Sequence, residues 1–126
     1  MEELTLTNSE WHVLDCLWGR EPRTAMELVA ELGEKVGWAK STTLTTLRRM
    51  EEKGLIQTET VGRTRHYTPA VERRSAAARE TRSFLDKVYR GSVGLMVSAM
   101  AQDKALSREE IDQLYEILKQ AEANKP

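Results

Sequence analysis

Apolar residues recur at helical spacing near the start of the chain, and two capping motifs mark where helices begin. The pairs Thr7–Glu10 and Thr24–Glu27 fit the S/T-x-x-E capping box, in which each side chain bonds the other residue's backbone amide. The apolar residues after them predict helices over about 8–18 and about 25–33, the second ending at Gly33.

The next segment predicts a third helix and then a hairpin. Apolar residues at intervals of three predict a helix over about 41–53 that ends at Gly54. An alternating run rich in Thr, Val, Ile and Tyr predicts strands near 55–60 and 64–68. Three helices and a hairpin in this order make a winged helix-turn-helix, which we place in residues 1–70.

The remaining residues, 71–126, are predicted to be helical. A long helix over about 70–90 ends at Gly91, a short apolar helix follows over about 92–101, and the capping box Ser107–Glu110 opens a last helix. The predicted fold class is mainly α with a small two-stranded β-wing, an N-terminal winged helix-turn-helix followed by a helical dimerisation region.

The apolar residues of the C-terminal helices exceed what one chain needs, because a winged helix of about 70 residues already closes its own core. We expect the extra set to be buried against a second copy, since two-fold dimers match palindromic half-sites. The alternative is that these helices fold back on their own wing domain. The predicted dimerisation residues are Phe84, Leu85, Val88, Tyr89, Val93, Leu95, Met96, Met100, Ile111, Leu114 and Leu118.

Four threonines crowd the start of the third helix, although threonine is a mediocre helix former. A DNA-recognition helix explains them, because a threonine hydroxyl bonds base edges and its methyl touches the thymine methyl. We expect Thr43 and Thr46 to pack against the first two helices instead. The alternative is a solvated helix without a ligand. The residues predicted to face DNA are Ser41, Thr42, Leu44, Thr45, Arg48 and Arg49.

The hairpin carries four further residues that we expect at the DNA. Arg63 and Arg65 are predicted to contact the backbone or the minor groove, as wing arginines commonly do. His66 is predicted to make a polar contact. For Tyr67 two roles stay open, a hydrogen bond to a phosphate or packing beneath the wing.

Charge favours a nucleic-acid partner only locally. The chain of 126 residues has a net charge of −1, but residues 1–39 carry −5, residues 40–74 carry +4 and residues 75–126 are balanced. The positive segment contains the predicted recognition helix and wing, which gives an electrostatic footprint for phosphates. Chance segregation of surface charge is the alternative.

The sequence gives little support for a catalytic or a metal-binding function. His12 and His66 lie on different predicted elements, and Cys16 is expected on the buried face of the first helix, so we expect no catalytic, metal or cofactor site. A single cysteine fits a reducing cytoplasm. No apolar run approaches the roughly 18 residues of a membrane span, and the acidic N-terminus does not resemble a signal peptide.

The chain resembles the penicillinase-repressor family, the BlaI/MecI/CopY group, over about residues 4–122. The segments that carry the resemblance are LTNSEWHVLDCLWGREPRTAMELVAEL, STTLTTLRRMEEKGLI, GRTRHYTPAVER, FLDKVYRGSVGLMVSAM and LSREEIDQLYEIL. The resemblance implies a dimeric winged-helix repressor that binds palindromic operators and silences antibiotic-resistance or related genes.

The resemblance also implies control by proteolysis, in which a membrane sensor-protease pathway leads to cleavage within the dimerisation region. Carried over by position, the scissile bond falls near Ala99–Met100. Leu44 stands where the penicillinase repressors often have arginine. The chain ends KQAEANKP, without the C-terminal cysteines of the copper-sensing branch, so the resemblance does not extend to metal sensing.

Two other hypotheses stay open. The winged helix is a protein-interaction module that binds no DNA, or the protein is a regulator that holds a small molecule between the wing and the dimerisation region. The polar start of the third helix and the positive segment favour DNA.

Overall fold

The computed structural model describes residues 6–103 and 105–126, which form two compact units. The first unit ends at Thr81 and the second begins at Arg82. The helices are α1 (Asn8–Leu17), α2 (Ala25–Val36), α3 (Lys40–Lys53), α4 (Arg73–Tyr89), α5 (Val93–Gln102) and α6 (Arg108–Ala123), and the strands are β1 (Arg23–Thr24), β2 (Ile56–Val61) and β3 (Thr64–Pro69). The architecture is the expected one, mainly helical with a small antiparallel sheet.

All three predicted capping boxes are present, and they set the starts of α1, α2 and α6. At α1, for example, the Thr7 hydroxyl accepts from the Glu10 amide at 3.2 Å, and the Glu10 carboxylate accepts from the Thr7 amide at 2.9 Å. Each box satisfies two backbone donors at a helix start, which is why these three boundaries agree with the prediction.

The predicted end of α2 at Gly33 is wrong. The helix continues to Val36, and the glycine that ends it in the left-handed conformation is Gly37, with φ 73°. A glycine inside a helix costs about 1 kcal/mol but does not by itself stop the helix. The additional turn brings Val36 against the core of the unit, which offsets that cost.

The sheet has a third strand that the sequence analysis did not predict. β1 pairs with β3 on the side away from β2, in the antiparallel register Arg23 to Tyr67 and Thr24 to His66. Two residues are too few to show an alternating pattern. This strand joins the turn before α2 to the hairpin, so it fixes the wing against the helices.

The first unit closes its own core, as expected. The indole N–H of Trp18 donates to the Val71 carbonyl at 2.9 Å, which ties the chain after the hairpin to α1. The largest fully buried side chains are Val13, Leu14, Leu17, Leu28, Leu32, Thr43, Leu47, Met50, Leu55 and Ile56. Each of them precedes α4, so the winged helix needs no part of the second unit to fill its interior.

The second unit comprises the end of α4 together with α5 and α6. α4 ends where Arg90 and Gly91 take left-handed conformations, with φ 51° and 83°, and the Gly91 amide donates to the Leu85 carbonyl at 3.0 Å. The Ser92 hydroxyl then caps α5. Among its described residues, Leu85 alone is buried.

Candidate nucleic-acid interface

Helix α3, the predicted recognition helix, has one buried and one exposed face. Thr43, Leu47 and Met50, spaced by four and three residues, are at most 1% exposed. Thr45 is half-buried at the edge between the two faces. The remaining predicted DNA-facing residues of this helix, Ser41, Thr42, Leu44, Arg48 and Arg49, are all exposed. The helix therefore presents a polar and positively charged face to solvent.

The four threonines of α3 have different environments. Thr43 packs in the core as expected, and its hydroxyl oxygen finds no hydrogen-bond partner among the described residues. Thr46 is only half-buried, and its hydroxyl donates to the Thr42 carbonyl at 2.7 Å. The hydroxyls of Thr42 and Thr45 make no hydrogen bond to any residue that the structure describes. The hydroxyls of Thr42 and Thr45 are thus free to hydrogen-bond an external partner.

The start of α3 lacks a side-chain cap. Its N-cap residue is Ala39, which cannot accept a hydrogen bond through its side chain, whereas α1, α2 and α6 all begin with a capping box. The backbone amides of Thr42 and Thr43 donate hydrogen bonds to the Ala39 carbonyl, at 3.0 and 3.2 Å. The amides of Lys40 and Ser41 have no acceptor within the helix, and such amides at a helix start suit a phosphate oxygen.

The wing carries one arginine at its tip and another on its inner face. Arg63 follows Gly62, whose φ of 67° forms the tight turn between β2 and β3, and it is exposed. Arg65 lies two residues before Tyr67 on β3, so both side chains point to the same face of the hairpin. Its guanidinium Nη2 lies 3.1 and 2.9 Å from the two carboxylate oxygens of Glu51.

The two other predicted wing residues are partly or fully covered. Tyr67 is 8% exposed and belongs to the core cluster, which favours packing beneath the wing over a hydrogen bond to phosphate. His66 is half-buried, and its Nδ1 lies 3.3 Å from the Thr64 carbonyl.

Among the described residues of the first unit, cations without an ion pair lie on α3, at the wing tip and on α4. Arg20, Arg23 and Lys35 all contact the Glu31 carboxylate, and Lys53 lies 2.6 Å from Glu10. Within the described ranges, by contrast, Lys40, Arg48, Arg49 and Arg63 form no ion pair. The cations that α3 and the turn expose are thus free to meet phosphates.

The Glu31 cluster is structural. Burial by itself raises the pKa of the Glu31 carboxyl, but hydrogen bonds from Lys35, Arg23 and Arg20 outweigh it and lower the pKa to about 2. Burial raises the pKa of the neighbouring Cys16 thiol to about 11, and the Glu31 carboxylate adds to the effect. The thiol is therefore protonated and a poor nucleophile. In the part of the chain that the structure describes, no three His, Cys, Asp or Glu residues form a group that could hold a metal ion.

One cleft in the first unit bears on the small-molecule hypothesis. It has a volume of about 250 Å³ and is lined by residues at the end of the hairpin and the start of α4, among them Leu55, Val71, Ser75 and Arg79. Pockets for drug-sized ligands usually occupy roughly 300–1,000 Å³. The volume of this cleft is below that range, whereas a second cleft of about 430 Å³, lined by residues at the end of α4 and in α5, is within it.

The predicted dimerisation residues are mostly uncovered in the single chain. Phe84, Val88, Val93, Leu95, Met100 and Leu118 are exposed, and Tyr89, Met96, Ile111 and Leu114 are half-buried. Leu85 differs from them, because only 6% of it is exposed and it is buried within its own chain. Two exposed residues were missing from the prediction, Tyr115 and Ile117, at 65% and 60%. Ile117 was missed because it falls beside the regular apolar stripe of α6.

The bond carried over as a cleavage site, Ala99–Met100, lies within α5. No residue of this helix is buried, and Met100 is 39% exposed.

No helix in residues 6–103 or 105–126 is long and apolar enough to cross a membrane.

The fold and the charged face of α3 define a winged-helix DNA-binding protein. The sequence model of the family described as Penicillinase repressor matches residues 6–120, and the chain belongs to that family. It is a DNA-binding repressor by family and fold, a kind of protein that is not an enzyme.

Two relatives and one solved structure are similar to this chain. The chain is 30% identical over 115 residues to the penicillinase repressor of Bacillus licheniformis, covering 91% of this chain and 90% of the relative. It is 26% identical over 113 residues to the methicillin resistance regulatory protein MecI of Staphylococcus aureus strain N315, covering 90% and 92%. The solution structure of monomeric Bacillus licheniformis BlaI in complex with the blaP half-operator superposes with a TM-score of 0.50 at 26% identity, covering 54% of this chain and 83% of that one.

Proposed function

We propose that this repressor binds palindromic operators as a homodimer in the cytoplasm, and that cleavage in its C-terminal unit releases the promoter. The observation that carries the DNA-binding part is the exposed face of α3, with its uncapped start and unpaired arginines. The relative bound to a half-operator supports the same use of the corresponding unit here.

Two parts of the exposed face of α3 contact different parts of the DNA. Ser41, Thr42, Leu44 and Thr45 lie in the N-terminal half, from which a recognition helix reads base edges in the major groove. Arg48 and Arg49 follow one turn later and contact phosphates, as does Arg63 at the wing tip. Phosphate contacts set the position of the protein, and base contacts give the sequence preference.

The second unit supplies the dimer. Exposed apolar side chains on α4, α5 and α6 are costly in water, and a second copy covers them at a two-fold axis. Two recognition helices held this way match half-sites about one helical turn apart, roughly 34–36 Å, or a multiple of that distance. The genes that this repressor regulates are then antibiotic-resistance genes, as the names of the two relatives suggest, or other genes that carry such an operator.

Cleavage at Ala99–Met100 separates α6 and the end of α5 from the rest of the dimerisation region. The bond lies in a helix, so a protease has to open α5 locally before it can cut. In the single chain no residue of α5 is buried, so this helix opens at low cost when the dimer has dissociated and at higher cost when the second copy covers it. A membrane sensor-protease pathway, as the family resemblance implies, would deliver the signal.

Selection of bound duplexes from a random-sequence pool tests the DNA assignment. We expect two inverted half-sites at the spacing given above. With the selected duplex as probe, Thr45→Ala relaxes specificity at one base position by about 1–3 kcal/mol, because one base contact is lost. Arg49→Ala weakens all sequences alike and makes the salt dependence shallower.

Thr46→Ala and Arg79→Ala are the matched controls. The Thr46 hydroxyl is used inside α3, and Arg79 lies on α4 rather than on the recognition helix. If Thr45→Ala and Arg49→Ala both bind every duplex as the wild type does, α3 is not the reading helix. If the wild type binds no duplex with an affinity that depends on salt, the result would favour the other hypothesis, a winged helix that binds a protein and no DNA.

A further inference from the structure

The last turn of α3 is joined to the wing through one arginine. Nη2 of Arg65 donates to both carboxylate oxygens of Glu51, at 3.1 and 2.9 Å, and lies 3.3 Å from the Thr58 hydroxyl. The Thr58 hydroxyl itself lies 3.4 Å from the Glu51 carboxylate. One guanidinium nitrogen thus contacts both the recognition helix and the neighbouring strand.

The register of the hairpin explains why Arg65, whose side chain stays 56% exposed, reaches Glu51. Thr58 pairs with Tyr67 and Thr60 with Arg65, so these four side chains share one face of the two strands. Tyr67 on this face is buried in the core, and the Arg65 guanidinium carbon lies 5.9 Å from the centroid of its ring. The strand pairing therefore directs Arg65 towards the body of the unit and the end of α3.

The two wing arginines consequently differ in what they can offer to DNA. Arg63 projects from the turn and forms no ion pair with the described residues. The charge of Arg65 is balanced by a carboxylate that would compete with a phosphate for the same N–H groups. A phosphate contact carries no sequence information, so an additional one raises the affinity for every duplex.

We propose that Glu51 sets the overall DNA affinity of the repressor, because it holds Arg65 away from the DNA backbone and so withholds one sequence-independent contact. Specificity is a difference between two affinities, and a phosphate contact contributes equally to both, so withholding it lowers the affinity for every duplex without changing that difference. This inference rests on the proposed DNA-binding function. It assigns the phosphate contact of the wing to Arg63 and makes Arg65 a positioning residue between wing and α3.

The test measures duplex affinity at several salt concentrations. The probes are a duplex selected from a random pool by the wild type and an unrelated duplex of the same length. Each phosphate contact contributes about 0.9 to the slope of log affinity against log salt concentration. Arg63→Ala makes the slope shallower by about 0.9, whereas Arg65→Ala leaves it unchanged.

Glu51→Ala releases Arg65, so the slope steepens by about 0.9 and the affinities for the selected and the unrelated duplex rise by the same factor. The double variant Glu51→Ala with Arg65→Ala returns the slope to the wild-type value, because the released arginine is gone. The matched control is Glu59→Ala, which removes the same charge from the opposite face of the hairpin without releasing Arg65. It leaves the slope unchanged.

Three results would overturn the inference. If Arg65→Ala makes the slope as shallow as Arg63→Ala does, then Arg65 already contacts phosphate in the wild type. If Glu51→Ala has the wild-type slope, or if Glu59→Ala steepens it equally, then Glu51 does not withhold Arg65. Failure of the proposed function looks different, because the wild type then binds neither duplex in a salt-dependent way.

Discussion

The two units of this protein bury their apolar residues to very different extents. In the first unit, Leu14, Leu17, Leu28, Leu47 and Ile56 are among ten large side chains that are less than 2% exposed. In the described residues of the second unit, only Leu85 is buried, and a set of large apolar side chains on three helices is open to solvent. The first unit is therefore complete as a single chain, and the second presents apolar surface that a partner would cover.

The units also differ in what their exposed surface offers. Around α3 and the wing tip the exposed side chains are polar or cationic, which suits phosphates and base edges. On α6 the exposed residues include Tyr115, Ile117 and Leu118, each at least 60% exposed. The comparison supports the proposed division, with reading of DNA in the first unit and assembly in the second, and the following changes test it.

Removal of α6 should have the largest effect. A chain that ends at Ala99 loses the exposed apolar residues of α6 but keeps the whole core of the first unit. We expect it to sediment as a monomer with its helical circular dichroism largely retained. Its affinity for the palindrome should fall by about 10²–10⁴-fold, because the second half-site is no longer bound at high effective concentration.

A chain that ends at Ala123 is the control for this truncation, since α6 stays intact. Dimers and wild-type affinity in the chain that ends at Ala99 would contradict both the assembly role of α6 and the proposed release by cleavage.

The same leucine-to-alanine change should act differently in the two units. Leu47→Ala leaves a cavity in the core and should lower the free energy of unfolding by about 2–5 kcal/mol, measured by urea titration. Leu118→Ala, at a site 62% exposed, should not lower the stability of the monomer. It should raise the dissociation constant of the dimer, measured by sedimentation over a concentration series. Equal losses of monomer stability would show that the second unit has a closed core of its own.

Acid should destabilise the first unit through Glu31. The pKa of this carboxyl is lowered from 4.5 to about 2, so its ion pairs stabilise the fold above pH 4.5 and lose that effect as the pH falls towards 2. The shift corresponds to at most about 3 kcal/mol. Glu31→Gln should be less stable at neutral pH and should show a flatter stability profile across this window, measured by urea titration at each pH.

Glu34→Gln is the matched control, because Glu34 is exposed on the same helix and forms no ion pair with the described residues. Parallel loss of stability in the wild type and Glu31→Gln between these pH values would mean that the Glu31 ion pairs contribute nothing.

Replacement of the buried threonine should have the smallest effect, and it should be stabilising. The Thr43 hydroxyl is buried without a partner, so Thr43→Val removes an unsatisfied polar group while keeping the branched shape. We expect a gain of about 1 kcal/mol in the free energy of unfolding. Thr46→Val, which loses the hydrogen bond to the Thr42 carbonyl, should give no gain. A loss of stability in Thr43→Val would indicate that the hydroxyl has a partner in solution.

Local features of the sequence were sufficient to predict most elements. The capping boxes at Thr7, Thr24 and Ser107 and the left-handed glycines Gly54 and Gly91 act within one helical turn, so their effect is visible in a short window. Helical spacing of apolar residues likewise predicted which side of α3 is buried. The DNA-facing residues follow from that spacing, and their contacts with DNA stay a prediction.

Tertiary structure decided the features that depend on distant partners. β1 exists because Arg23 and Thr24 meet β3 more than forty residues later, and α2 passes Gly33 because Val36 finds the core. A hydrophobic pattern also cannot tell a residue covered by its own chain from one left open. Leu85 and Leu118 were predicted alike, and only packing separated them.

The wing shows the same limit for charged residues. In the sequence Arg63 and Arg65 are two similar basic residues beside one turn, and both were expected at the DNA. The hairpin register and the end of α3 bring Glu51 to Arg65 and leave Arg63 free. The sequence determined all the helices, the hairpin and the places where cations are abundant, because those properties are local. Which cation is already neutralised was decided by the fold, because an ion pair between residues fourteen positions apart depends on how a helix and a strand are packed together.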